Sequence, residues 1–267
     1  MSNRERIDVR IVESLLSNNV QEIPLVFTGN TTDLRVFLEE PIKIKNSKAK
    51  IALRMISSTN SIPNIDGRNK NFRFKIGNGE WRNAELEESG CYEVSDIEKS
   101  IEYLVNRQDD QNNNLVLNPR HYNIQIGINE GLGKSIIKIP AEFEIDFSVE
   151  NSIGKVLGFN GIMLGEGIHQ SPEIIKIQPV LSIFLFCNLV SGSYLNGKLS
   201  QSLYHFYPDV PLGTSFVETP NPIYYLDVPD FKEEIQEIRI WLTDQDEIPL
   251  NLNGENITAV LLLQITT

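Results

Sequence analysis

From Asp33 onward the apolar residues fall on every second position, and that spacing constrains the fold more than any other feature. Leu34, Val36 and Leu38 alternate with Arg35, Phe37 and Glu39, and Ala49, Ile51, Leu53 and Met55 alternate with Lys48, Lys50, Ala52 and Arg54. Only a half-buried strand throws successive side chains to opposite faces, so these segments are strands with one face in a core. The pattern returns at Phe72, Phe74 and Ile76, where the turn IGNGEW sends the chain back toward Glu88 as a hairpin. It returns again at Tyr122, Ile124, Ile126 and Ile128. The longest run, Ile137 to Phe147, contains Pro140, which cannot donate to a ladder and marks an edge or a bend. Val180–Cys187 (VLSIFLFC) is apolar on both faces and reads as a central strand covered on both sides. With Leu203–Tyr207, Ile223–Val228, Ile235–Thr243 and Ile257–Ile265 the count is about ten to twelve strands.

Composition points the same way. The chain has 33 Ile against 5 Ala, a balance that favours sheet over helix, and its 26 Asn suit many turns. Two short helices are expected. Val94–Asn106 opens with Ser95 as N-cap and Glu98 at capping-box spacing, and Ile97, Ile101 and Leu104 form its apolar stripe. Ser152–Phe159 is the second, and RQDDQNNN reads as a polar loop. Residues 1–24 form an N-terminal arm whose Ile7, Ile11 and Leu15, with Val12 and Leu16, suit a short amphipathic helix packed on its own body or on a neighbour. Strands do not alternate with helices, which excludes a doubly wound α/β enzyme. The fold class is all-β, an antiparallel β-sandwich of jelly-roll type with an inserted region. Residues 25–267 make one jelly-roll domain with an insertion around 59–119, or two small sandwiches split near Asn151.

Charge and motifs narrow the function. With 24 basic and 36 acidic residues the net charge is −12, and no basic run is denser than KIKNSKAK, so direct nucleic-acid binding is not expected. MSNRERIDVR has no apolar stretch of the signal-peptide kind, and no run of 18 apolar residues suggests a spanning helix. Cys91 and Cys187 suit a reducing compartment, in which the sequons at Asn30 and Asn256 stay bare. Gly127–Ser135 (GINEGLGKS) imitates a phosphate loop, but Gly127 lies one residue too far from Gly133 and a strand follows Lys134, so it reads as a hairpin turn. His121, His169 and His205 are scattered, without metal spacing. Cys91 carries no reactive-thiol signature, and Cys187 reads as a core residue. Thr243–Asn256 is rich in oxygen ligands, but Pro249 stands where an EF-hand from Asp244 needs Gly, and a connection between strands is preferred. No catalytic, cofactor-binding or metal residue is assigned, no cofactor is expected, and function is placed on surfaces whose interface residues remain unknown.

Five stretches taken in order carry a resemblance: DLRVFLEEPIKIKNSKAKIALRMIS, SGCYEVSDIEKSI, SIGKVLGF, LFCNLVSGSYLNGKLSQSLYHFYPDVPLGT and PIYYLDVPDFKEEIQEIRIWLTDQDEIPLNLNGENITAVLLLQI. Over roughly Thr32 to Ile265 the chain resembles the penton (minor capsid) proteins of Polinton/Maverick elements, adintoviruses and virophages. Glu247 departs from the family, which has Gly after the Asp-Gln-Asp-like turn. The resemblance implies a single jelly roll, often with an inserted region, forming homopentamers at icosahedral vertices among capsomers of a double jelly-roll major capsid protein. It implies a structural virion protein made inside the host cell, with no catalytic residues; membrane contact is left open. A non-enzymatic jelly-roll binding module, lectin-like or a receptor-binding trimer, is the alternative, and an enzyme on a cupin-like scaffold would need clustered His.

Overall fold

The alternating segments pair in a nested order. The computed structural model describes residues 20–44, 47–112, 122–178, 180–229 and 233–266. In chain order it contains β1 (Val20–Gly29), β2 (Asp33–Lys43), β3 (Lys48–Thr59), β4 (Asn71–Ile76), β5 (Arg82–Glu85) and helix α1 (Val94–Asn112). Next come β6 (Gln125–Asn129), β7 (Lys134–Ile139), β8 (Phe143–Asp146), helix α2 (Gly154–Leu157), β9 (Met163–Leu164) and β10 (Gly167–Ile174). The last are β11 (Ile183–Cys187), β12 (Ser193–Leu195), β13 (Lys198–Ser200), β14 (Ser202–Phe206), β15 (Ser215–Glu218), β16 (Leu226–Asp227), β17 (Glu234–Thr243) and β18 (Ile257–Thr266). They divide between two units, Met1–Asn60 with Ser182–Thr267 and Ser61–Leu181.

In the first unit β1 pairs with β18, β2 with β17, β3 with β15 and β16, and β11 with β14, all antiparallel. The first strand thus meets the last, the second the next to last, and so inward. The result is two sheets, β1-β18-β3-β15 with β16 beside β3, and β14-β11-β17-β2. This nesting of eight strand positions in two sheets is a jelly roll, and the fold is all-β.

Register explains the sequence pattern. Ile23–Leu263–Ile51, Leu25–Leu261–Leu53 and Phe27–Ala259–Ile56 lie in rows across the first sheet and point inward. Leu34–Ile240–Cys187 and Leu242–Leu185 do the same in the second. Met55, expected on the core face with Leu53, is turned off it. Val260 pairs with Met55 while Leu261 pairs with Leu53, so Arg54 is an extra residue in the strand and Ile56 takes the next inward place. β11 is central, as its sequence suggested. Val20–Pro24 of the expected arm belong to β1, whereas the amphipathic pattern of Ile7 to Leu16 lies outside the described residues. Of the expected strand Ile223–Val228, only Leu226–Asp227 pairs.

The second unit continues to Leu181, well past the Pro119 at which the expected insertion ends, because β4 pairs not only with β5 but with β8 (Phe74 opposite Ile145). Asn151 lies inside it rather than at a boundary. The predicted strand Ile137–Phe147 is two strands in different sheets, β10-β7-β6 and β5-β4-β8-β9. Pro140 and Glu142, the latter at φ 60°, break it. Helix α1 begins one residue after Glu93, whose N–H is held by Asp96 Oδ2 at 3.1 Å, so Glu93 and Asp96 cap it instead of Ser95 and Glu98. Glu98 accepts the Ile126 N–H instead and ties the helix to β6. Ile97, Ile101 and Val105 are fully buried, and the helix runs on through Asn112 where a loop was expected. The second helix is only Gly154–Leu157. Gly158 ends it in the left-handed region at φ 76°.

This unit has its own core. Phe74 stacks on Phe143 at 5.6 Å and Phe147 on Phe159 at 6.0 Å, among Ile137, Ile145 and Leu157. Asn64, 4% exposed, ties the two ends of the unit: its amide donates to Tyr92 O at 2.7 Å and Ile177 O at 2.9 Å. The buried Asp146 carboxylate accepts Arg73 Nε at 2.6 Å and the Ser148 N–H at 2.7 Å. Burial would raise its pKa, but these bonds and the guanidinium charge hold it below the ordinary value.

Candidate assembly surface

The residues screened for chemistry have structural partners. The GINEGLGKS segment is the β6–β7 hairpin, with Asn129 opposite Lys134 and Gly133 at φ 63°. Asp244, 3% exposed, accepts the N–H groups of Asp246 and Ile248 at 2.9 and 3.0 Å, so its oxygen shapes the turn before β18. Cys91 faces the Ser61 and Ile62 carbonyls at 3.5 Å, and burial pushes its thiol pKa up, away from the reactive thiolate. Cys187 is buried in β11. His169 Nε2 is 2.8 Å from Gly165 O, His205 stacks on Phe184, and His121 lies outside the described residues. Among the described residues no three His, Cys, Asp or Glu side chains gather as metal ligands. An open groove of about 610 Å³ beside α1, lined by Asn71, Asn83, Glu85 and Gln108, includes a carboxylate already paired with Lys70 at 2.8 Å. In the described residues no helix is long and apolar enough to cross a membrane.

What stands out is on the two outer faces of the jelly roll. An antiparallel sheet with one wet face shows polar residues there. In the first sheet the outer rows are instead Val26–Val260–Met55, with Val217 beside them on β15, and Pro24–Leu262–Ala52, of which Leu262 and Ala52 are buried. Val26 and Val217 are 60% and 65% exposed. Charges are confined to the margin, where Lys50 meets Asp227 at 3.7 Å, and to the Arg54 bulge. Tyr225 reaches across this sheet, its hydroxyl donating to Glu22 Oε1 on β1.

The second sheet carries an aromatic ladder. His205 on β14 stacks on Phe184 at 5.7 Å, and Phe184 meets Phe186 at 6.4 Å along β11. Phe186 lies parallel to Trp241 on β17 at 5.3 Å and 7°, and the Arg239 guanidinium covers the Trp241 ring at 4.7 Å. Arg239 in turn grips Asp33 with two bonds of 2.8 and 2.7 Å. That fork holds the Asp33 carboxyl below its usual range against the opposing effect of burial, and raises Arg239. Arg35 reaches Glu237 at 3.8 Å, and Phe37, opposite Glu237, is 69% exposed. The sequence reading expected VLSIFLFC to be covered on both sides. Phe186 reaches 7% exposure beside a parallel neighbouring ring of its own sheet.

The class defined by these features is a jelly roll with a second β-rich unit inserted between its third and fourth strands, and with apolar surface where a solitary sandwich would be polar. No protein-family model and no curated protein matches the chain. Among solved structures it is similar to the crystal structure of the mavirus penton protein, at TM-score 0.51 and 13% identity, over 92% of this chain and 100% of that one. A second similar structure comes from the Sputnik virophage solved by cryo-EM, at TM-score 0.47 and 16% identity, over 92% and 97%. The first of these likenesses is one of fold.

Proposed function

We propose that this chain is a structural virion protein, a penton or minor capsid subunit that forms homopentamers at icosahedral vertices beside a double jelly-roll major capsid protein. The observation that carries this reading is the whole-length likeness in fold to the mavirus penton protein, inserted unit included. The role is non-enzymatic: the candidate side chains serve turns, cores and stacks. A five-fold ring is a closed heterologous arrangement, and two different apolar faces on one subunit suit it. The alternative, a lectin-like module, gains nothing from the aromatic ladder. Sugar stacking needs an open ring face, and the faces of Trp241 are taken by Phe186 and Arg239. Native mass spectrometry and electron micrographs of the purified protein across a salt series test the proposal. Pentamers are expected, and a monomer under every assembly condition overturns it.

A further inference from the structure

We propose that copies of this chain associate face to face and head to tail, the aliphatic outer face of the first sheet (Val26, Val260, Met55, Val217) docking on the aromatic outer face of the second sheet (Phe37, Trp241) of the next copy. The inference rests on the penton reading and adds the surface that closes the ring.

Three observations select a second copy as the occupant. The first is charge. In a chain of net −12, like-charge repulsion opposes self-association. These two faces are where it is locally cancelled: Arg239 by Asp33, Arg35 by Glu237, and Lys50 by Asp227. The second is the sheet edges. β1 and β2, the long edge strands, contain Pro24 and Pro41, each of which interrupts a ladder that a neighbour would add there and so favours contact through the faces. The third is size. The strands of the first sheet hold 36 residues and those of the second 31, which at a rise of about 3.3 Å and a spacing of about 4.8 Å gives faces of roughly 500–570 Å² before side-chain relief. That approaches the ~800 Å² per partner of a standard interface.

The two faces differ, so the contact is heterologous, and that is testable by mixing. Val26→Glu breaks the first face and Phe37→Glu the second, and the two broken faces repel each other; both positions are largely exposed, so folding is preserved and circular dichroism checks it. Each variant alone is expected to be monomeric under conditions where the wild type is pentameric. Mixed one to one, they retain one intact pair of complementary faces and give a heterodimer and nothing larger by native mass spectrometry. A variant that still forms pentamers alone, or a mixture that stays monomeric, overturns the inference while leaving the penton reading in place. A wild type that never associates overturns that reading itself.

Discussion

The two units have separate cores, so a lesion in one should move the melting of the other much less than its own. Leu261 in β18 is fully buried and sits in a row between Leu25 and Leu53 on the flanking strands. With a packed neighbour on each side the site cannot collapse, and Leu261→Ala should cost about 3–5 kcal/mol. Phe74 is likewise fully buried, stacked on Phe143 at 5.6 Å and 6.2 Å from Phe72. Phe74→Ala should cost about 3–5 kcal/mol, with up to ~1 more for the lost ring pair. At roughly 3–6 °C per kcal/mol for units of this size, either change lowers its own transition by about 10–30 °C. The chain supplies the reporters, because its 2 tryptophans are divided one per unit, Trp81 and Trp241. In Trp241→Phe and Trp81→Phe backgrounds the remaining indole follows one unit through thermal and urea melts. Leu261→Ala should shift the Trp241 melt and leave that of Trp81, and Phe74→Ala should do the reverse, moving the jelly roll by no more than ~2 kcal/mol through the loop effect derived below. If each substitution moves both melts equally, the two-unit reading is wrong.

Arg73→Ala should destabilise the inserted unit by about 2–4 kcal/mol, since it strips the buried Asp146 of its cation, and thermal melts would register it. Asp146 has a folded pKa below its unfolded value, so its contribution is present above the usual carboxylate range and is lost as pH falls through the depressed value. Melts below about pH 4 should therefore steepen in the wild type and flatten in the variant. Tyr204 and Tyr225 are pushed up to about 12 by burial and by bonds to Glu218 and Glu22. Their contribution is complete below pH ~10 and lost as pH rises toward that value, so Tyr204→Phe with Tyr225→Phe should remove the alkaline limb of a melting profile. Glu247 holds φ 61°, a left-handed conformation glycine adopts without strain, so Glu247→Gly should stabilise the jelly roll by about 0.5–1 kcal/mol in urea titrations.

Alternation was legible wherever one face met the core and the other met water, as in β2, β4 and β17. It failed where the outer face is apolar too. In β1 the inward Ile23, Leu25 and Phe27 alternate with Pro24 and Val26, which hid the period and left the first half of the strand inside the expected arm. β10 is an edge strand carrying Pro172 and a register shift after Gln170, so it had no period to find. The last turns of α1, RQDDQN, contain no apolar residue and imitate a loop. The outer faces were the least legible, because Phe184, Trp241 and His205 belong to three strands that only the nested pairing brings together. The signal was present in Val26 and Phe37, which occupy outward phases of otherwise regular strands.

The nested topology also orders folding. The pairs β1–β18 and β2–β17 join the two ends of the chain, and such long-range contacts form slowly. The inserted unit is more local, and Asn64 fastens its entry to its exit through Ile177 O. Once it folds, the β3–β11 connection shrinks from about 120 free residues to fewer than about ten, which lowers the closure cost by about 2 kcal/mol. Insertion at this point therefore leaves the jelly-roll pairs intact and favours their forming after the insert has folded. In stopped-flow refolding the Trp81 signal should precede that of Trp241, and Asn64→Ala, which frees the tether, should slow the Trp241 phase more than the Trp81 phase. A Trp241 phase that leads, or that ignores Asn64→Ala, refutes this order.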